Sequence, residues 1–415
     1  MERVSTNMPN DDMQFYLRRK ERGIADVQTK IASQTRIREL ADDPVGASHA
    51  VRYASYRTRL ERFEQNTLGA KEHYNHVDGF LGEANDIVQK LREFAVKGAN
   101  GVWTKDDTAM MGIEVNELLK ELATIANANG PDGKYLFSGD KSLTQPFRIV
   151  EGTVDGIGEA APIRVEYRGA GANRQIELSD RSFSTLDMPG GEVFWAERMR
   201  VASSWDASGY QVQEATSIFV DKVEIFLSAG DDVNTIAAKI NDSAAPIKAF
   251  LDIETQGLAL EGTDPHLITL EDREGSRVLQ DLGLTRGNSP QGAPNWGNDT
   301  RVSGGSLFDV AIGLRDALLR GDHNYVGGQA LGGIDDALAN LNMRRNVAGS
   351  RSERVETAWG RLNTEIQNVN HDLDREIGLD LADAAVELGM MDMAHRAALQ
   401  TAARILPPSL LDFLR

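Results

Sequence analysis

Leu60, Phe63, Thr67, Ala70, Tyr74, Val77, Leu81, Ala84, Val88, Leu91 and Ala95 follow one another at alternating steps of three and four residues. Only Thr67 among them is polar. That spacing draws one narrow apolar seam along an α-helix, as in a coiled-coil strand. From Val45 to Lys97 the helix would run roughly 80 Å at 1.5 Å per residue. Ahead of it Leu17, Ile24 and Ile31 recur every seven residues, with Met13 and Val27 on the adjoining row. After "TKDD" a third helix carries Met111, Val115, Leu118, Leu122 and Ile125, and stops at "NANGPDG", where Gly and Pro break the pattern. The last third repeats the design with Ile334, Leu338, Leu341, Arg345, Ala348, Ser352, Val355, Trp359, Leu362, Ile366, Val369 and Leu373. A final helix bears Ala384, Leu388, Met391, His395, Ala398, Ala402 and Ile405, and Pro407 and Pro408 end it.

Between the helical ends the period changes from helical to alternating. "PIRVEYRG" places Ile163, Val165 and Tyr167 on one strand face, and "RQIELSD", "IKAFLDIE", "LALEG" and "HLITLED" read as further strands around one short helix, "DDVNTIAAKINDS". Two single-seam helical ends bury their apolar rows most cheaply against each other. The expected fold is therefore mainly α with a β-rich insert: long N- and C-terminal helices packed as an antiparallel coiled-coil rod, with an α+β middle domain projecting from one end. The segments are 1–44 (first helix and turn), 45–142 (N-terminal rod), 143–305 (insert, expected as a separable module), 306–376 (C-terminal rod) and 377–415 (last helix and tail).

Charge and composition narrow the function. A net charge of −18 disfavours nucleic acid and anionic membrane surfaces, both of which are bound by clustered Lys and Arg. With no cysteine, disulfides, thiolate catalysis and zinc–sulfur sites are excluded. No stretch approaches the ~20 apolar residues of a membrane span. The first residues lack the apolar run of a secretory signal, so the chain reads as cytoplasmic or as exported without a cleaved signal.

The candidate chemistry is thin. In "ELADDPVGASHAV" (39–51), Asp42, Asp43 and His49 suggest an acid pair with a helper, yet Asp before Pro is also a strong helix start. Asp43 as cap and Pro44 as first helical residue is the favoured reading. His73 and His76 lack a third ligand nearby in sequence. "GGSLFDV" and "VGGQALGG" lack phosphate-loop signatures. The basic run "RRKER" (18–22) suits the outer face of a helix. Trp359 falls on the seam, so packing is favoured over ligand stacking. No nucleophile–base–acid arrangement emerges, and no cofactor or metal is expected.

Three stretches carry a resemblance. "IASQTRIRELADDPVGASHAV", "VNTIAAKINDSAAPIKAFLDIETQGLALEG" (within 232–262) and "LADAAVELGMMDMAHRAALQTAARILPPSLLDFL" are similar to the N-terminal segment, the Ile-Asn motif and the C-terminal helix of the bacterial flagellin family. "ANANGPDGKYLFSGDKSLTQPF" (126–147) and "GSLFDVAIGLRDALLRGD" (305–322) resemble its hook-associated members at the hook–filament junction more than filament flagellin. Gln34 departs from the family, which has glycine there.

The resemblance implies a structural, non-catalytic part of the flagellum, exported by the flagellar type III route and found outside the cell or in the periplasm. It also implies partners: other copies in a ring, hook-associated protein 1, flagellin and an export chaperone. Leu81, Val88, Leu91, Trp359, Leu362 and Ile366 would hold the rod. Leu388, Met391, Leu410, Leu411, Phe413 and Leu414 would form the assembly interface, with both ends disordered until assembly. A flagellin-like filament subunit, a secreted coiled-coil adhesin or effector, and an enzyme housed in 143–305 stand as alternatives, in that order.

Overall fold

The computed structural model describes residues 8–171, 174–287 and 295–405. The chain opens with α1 (Met8–Ser33), α2 (Pro44–Ala99) and α3 (Lys105–Ala126). Next come β1 (Phe147–Gly152), β2 (Ala161–Tyr167), β3 (Gln175–Ser179), β4 (Ser182–Thr185), the single turn α4 (Gly190–Val193), β5 (Arg200–Ser203), β6 (Thr216–Val220) and β7 (Val223–Leu227). Helix α5 (Val233–Asn241), β8 (Ile247–Leu251), β9 (Leu258–Gly262), β10 (Leu270–Asp272), the turn α6 (Val278–Asp281) and β11 (Thr300–Ser303) complete the middle. Then α7 (Leu307–Arg320) and α8 (His323–Tyr325) lead through a π-helical turn (Val326–Ala330) into α9 (Leu331–Ile377), and α10 (Leu381–Ile405) follows.

The elements gather into two compact units, Met1–Gln65 with Gly360–Arg415, and Asn66–Trp359. In the terminal unit the start of α2 runs antiparallel to the end of α9. Residue numbers rise on one as they fall on the other: His49 Nδ1 faces Glu376 at 3.4 Å, and the Tyr56 hydroxyl donates to Glu365. Leu60, Phe63, Leu362 and Val369 form the buried contact, with Tyr53, Tyr56 and Ile366 beside it. Helices α1 and α10 also pack on each other, and Gly23 lets the Met391 side chain come close.

In the central unit the later part of α2 and the earlier part of α9 are likewise antiparallel, linked by Lys71–Glu356, Arg345–Asp78 and Arg92–Asp335. Two capping boxes start the helices that pack closest: Thr104 with Asp107 opens α3, and Ser306 with Asp309 opens α7. Gly112 on α3 admits the Leu319 side chain, and a Cβ there would lie 3.0 Å from it. The strands form four small antiparallel sheets, ordered β1-β2, β3-β4, β10-β6-β7 and β11-β5-β9-β8. Asn241 at the end of α5 exchanges two hydrogen bonds of 2.8 Å with the Ala249 backbone of β8, as a neighbouring strand would.

All eleven expected seam positions of α2 are buried, Thr67 included. Helix α9 differs. Its deeply buried row is Ile334, Leu341, Ala348, Val355, Leu362 and Val369, each seven residues from the next. The intervening row is shallower: Arg345 is exposed and pairs with Asp78. Trp359 belongs to that shallow row, which corrects its expected place in the seam. Its ring is 36% exposed and lies beneath the Lys71 ammonium at 5.6 Å. Helix α3 also buries a slightly rotated face, with Leu119 rather than Leu118 fully covered, because α7 approaches at Gly112.

The separable insert needs a larger correction. One apolar cluster runs from Val77, Leu81, Val88 and Leu91 of α2 through Val115 and Leu122 of α3 to Leu314 of α7 and Ile334 of α9. It also takes in Phe147, Val165, Ile218, Ile236 and Leu258 from the middle segment. Phe147, Phe194 and Phe308 lie with their ring centres within 6 Å of one another in it, and Phe137 meets Phe194 edge-on at 5.1 Å. Periodicity shows that a face is apolar but not which element covers it. Here most of the strands share a core with the helices, β3 packs instead with Ala70, Tyr74 and Val355, and the boundary between compact units falls inside α2 and α9.

Candidate assembly interface

The stretch from 39 to 51 sits at the turn between α1 and α2. Asp43 Oδ1 accepts the backbone N–H of Gly46 at 3.0 Å and of Val45 at 3.2 Å, and Pro44, without an N–H, is the first residue of α2. Asp42 Oδ2 accepts from the N–H groups of Arg38 at 2.9 Å and Glu39 at 3.1 Å. The Gly46 N–H holds the Asp43 carboxyl below its ordinary value, and those of Arg38 and Glu39 do the same for Asp42. Both are committed acceptors of the turn. Gly46 has no room for a side chain, since a Cβ would lie 2.6 Å from both Asp43 Oδ2 and Ile37 Cδ1.

A second connector, between α9 and α10, clasps this turn. Arg36 N donates to Ile377 O at 2.7 Å, Leu379 N donates to Gln34 O at 3.2 Å, and Thr35 bridges Gly378. The Arg36 guanidinium adds a bond of 2.8 Å to Glu376 O. Gln34 takes φ +56°, the left-handed region that glycine occupies without penalty. The loss of glycine noted in the sequence therefore has a backbone consequence here.

Helix α10 carries two apolar rows. Ala384 and Ala402 are buried and Leu388 and Met391 half-buried on the row beside α1, with Met391 near Gly23. Expected as contacts to partners, Leu388 and Met391 instead belong to the chain's own helix pair. Val386, Met390 and Met393, spaced i, i+4, i+7, form the other row and are 60%, 57% and 65% exposed. Leu381 and Leu399 are exposed on the same helix, and Phe15 and Tyr16 on α1. The sequence reading missed this outer row because it followed a single seam. A count of apolar residues off that seam would have found it. Leu410, Leu411, Phe413 and Leu414 lie outside the described residues.

Of the remaining named residues, Leu81, Val88 and Leu91 are fully buried in the central unit, and Leu362 and Ile366 belong to the small terminal cluster. His73 is half-buried, burial lowers its pKa, and its Nε2 has no hydrogen-bond partner among the described residues. His76 is exposed. Among the described residues no group of three His, Asp or Glu side chains could hold a metal ion, and no helix is long and apolar enough to cross a membrane.

The central unit also has a cavity of about 880 Å³ bounded by Tyr167, Glu192, Asp221, Asp264, His266 and Arg344. His266 Nε2 lies 2.7 Å from Asp221 Oδ2, and Nδ1 lies 2.8 Å from the Asp264 carbonyl. Burial alone would lower its pKa, but the two carboxylates push it up to about 10, so it is an imidazolium at neutral pH. Arg344 then joins Asp264 at 2.9 Å to Glu192 at 3.2 Å. These two cations and three carboxylates tie α9 to α4, to the turn between β6 and β7 and to the loop before β10.

Residues 4–142 match the sequence profile of the bacterial flagellin N-terminal helical region. Flagellin B of Vibrio anguillarum is 25% identical over 382 residues, 88% of this chain and 91% of that protein. Flagellar hook-associated protein 3 of Escherichia coli is 24% identical over 160 residues, 37% and 50% of the two chains. The crystal structure of hook-associated protein 3 from Legionella pneumophila is similar at a TM-score of 0.46 and 17% identity, covering 78% of this chain and 97% of that one. The chain spans about half the length of the Escherichia coli protein and of flagellin FlaB1 from Treponema pallidum. Over its first third the chain is similar to the bacterial flagellin family.

Proposed function

We propose that the protein is a hook–filament junction subunit of the hook-associated protein 3 type, without catalytic activity. Its terminal unit joins neighbouring copies and adjacent parts of the flagellum, and its central unit supplies a rigid folded body. The observation that carries this reading is the outer apolar row of α10, together with exposed Phe15 and Tyr16 on α1, beside a helix pair already satisfied within the chain. A patch of this kind marks an interaction surface. Export through the flagellar type III channel, assembly in a ring and contact with hook-associated protein 1, flagellin and an export chaperone follow from the same reading, as does a place outside the cell or in the periplasm. The segments 126–147 and 305–322, resembling junction members, and the match to the Escherichia coli protein support it over a filament subunit.

The filament reading has its own support in the long match to a Vibrio flagellin. Immunogold labelling of isolated flagella separates the two. Label confined to a band where hook meets filament is expected, and label along the whole filament would make the protein a flagellin. Cells deleted for the gene are expected to build hooks without attached filaments.

A further inference from the structure

Three of the four residues from Met390 to Met393 are methionines, and the helix sorts them by environment. Met390 and Met393 stand on the outer row of α10 with more than half of their surface open to solvent, while Met391 turns toward Gly23 of α1. Asp392, between them, is engaged with Arg396 at 2.8 Å. The chain has no cysteine, so no thiol intercepts an oxidant before it meets an exposed thioether.

We propose that Met390 and Met393 form a modification site for hydroperoxides, and that oxidation there bars the terminal unit from its partners. The proposal rests on the assembly reading above. In the reaction a sulfur lone pair attacks one peroxide oxygen and the O–O bond breaks. That oxygen stays on sulfur as the sulfoxide, and the other leaves as water when the oxidant is hydrogen peroxide. Sulfur loses two electrons and the peroxide gains them. A flexible apolar side chain becomes a polar one in the middle of the Val386–Met390–Met393 row. A sulfoxide oxygen enclosed in an apolar contact without a donor is costly enough to weaken assembly about tenfold. Met391, half-covered within the chain, reacts more slowly and serves as an internal reference.

The test uses the full-length protein, treated with graded hydrogen peroxide and mapped by peptide mass spectrometry. Binding is then read by co-sedimentation with flagellar structures isolated from cells lacking the gene. Met390 and Met393 are expected to oxidise before Met391, with binding lost in step. The double variant Met390→Leu/Met393→Leu should bind as the parent does and keep binding after peroxide, whereas Met391→Leu should stay sensitive. Equal oxidation of all three, or undiminished binding at full conversion of the outer pair, would overturn the proposal. Val386→Asp tests the assembly reading separately. If it abolishes binding while oxidation has no effect, the surface stands and the modification site falls; if it too binds normally, the surface itself is wrong.

Discussion

The two compact units use similar helical material for different ends. In the central unit α2 and α9 are covered by α3, α7 and the sheets, so that Leu81, Leu91, Phe147 and Phe308 lie in one deep core. In the terminal unit the same two helices share a contact of four buried side chains and a hydrogen bond from Tyr56 to Glu365, and a backbone clasp joins the connectors beside them. Large apolar groups there, from Phe15 to Met393, are left facing solvent. Stability within one chain thus resides in the central unit, and the terminal unit keeps apolar surface for association.

The largest expected effect comes from a charge in each seam. Leu81→Asp buries an uncompensated carboxylate in the central core and should destabilise the unit by about 4 kcal/mol or more, lowering its melting temperature by calorimetry. Leu362→Asp should leave that transition nearly unchanged and speed amide exchange in 44–65 and 360–377. Equal losses for both variants would erase the distinction between the units.

The next effect is confined to the central unit and depends on pH. His266 has a folded pKa of about 10 against an ordinary 6.5, so its stabilising contribution is fully present below about pH 6.5 and is lost as pH rises through 10. Denaturant titrations between pH 7 and 10 should show stability falling. His266→Gln should flatten that slope and cost about 3 kcal/mol at pH 7, because Asp221 and Asp264 lose their buried counter-charge. An unaltered slope would remove His266 from the account.

A smaller change should favour the terminal unit. Gln34→Gly relieves a left-handed backbone position and is expected to stabilise by about 0.5–1 kcal/mol, seen as slower amide exchange at Arg36 and Leu379 with no change in the central transition. Least of all, His73→Ala should shift melting by less than about 0.5 kcal/mol at pH 7.5. At pH 5 the variant should gain relative to the parent. Burial lowers the His73 pKa, so the parent loses stability as pH falls below 6.5.

The sequence made the elements legible but not all of their neighbours. The seam of α2 could be read position by position because its strict spacing leaves one face apolar, and β2, β3 and β8 to β10 could be read from alternation, whereas β4 to β7 were not singled out. The shared core could not, since nothing in the period of β2 says that it packs on α3 and α7. Trp359 went astray for a related reason: a 4-3 pattern offers two rows, and which lies deeper depends on the opposing helix. At the interface, the cap at Asp43 and Pro44 follows from local chemistry, and so does the oddity of Gln34. The outer row of α10 was hidden because "GMMDMAH" looks like a single seam with spare methionines. Only the position of α1 decides which of those methionines are spare.

The sevenfold row of α9 also constrains how a gene for such a chain can change length. Each residue added to a helix turns everything beyond it by about 100°, so a one-codon insertion in α9 would swing Leu362 and Val369 out of contact. A seven-codon insertion would return them nearly to place, as the heptad of a left-handed supercoil requires. The loops between strands carry no such phase. Drift in length among variants should therefore collect between β1 and β11, while α2 and α9 change only in whole heptads.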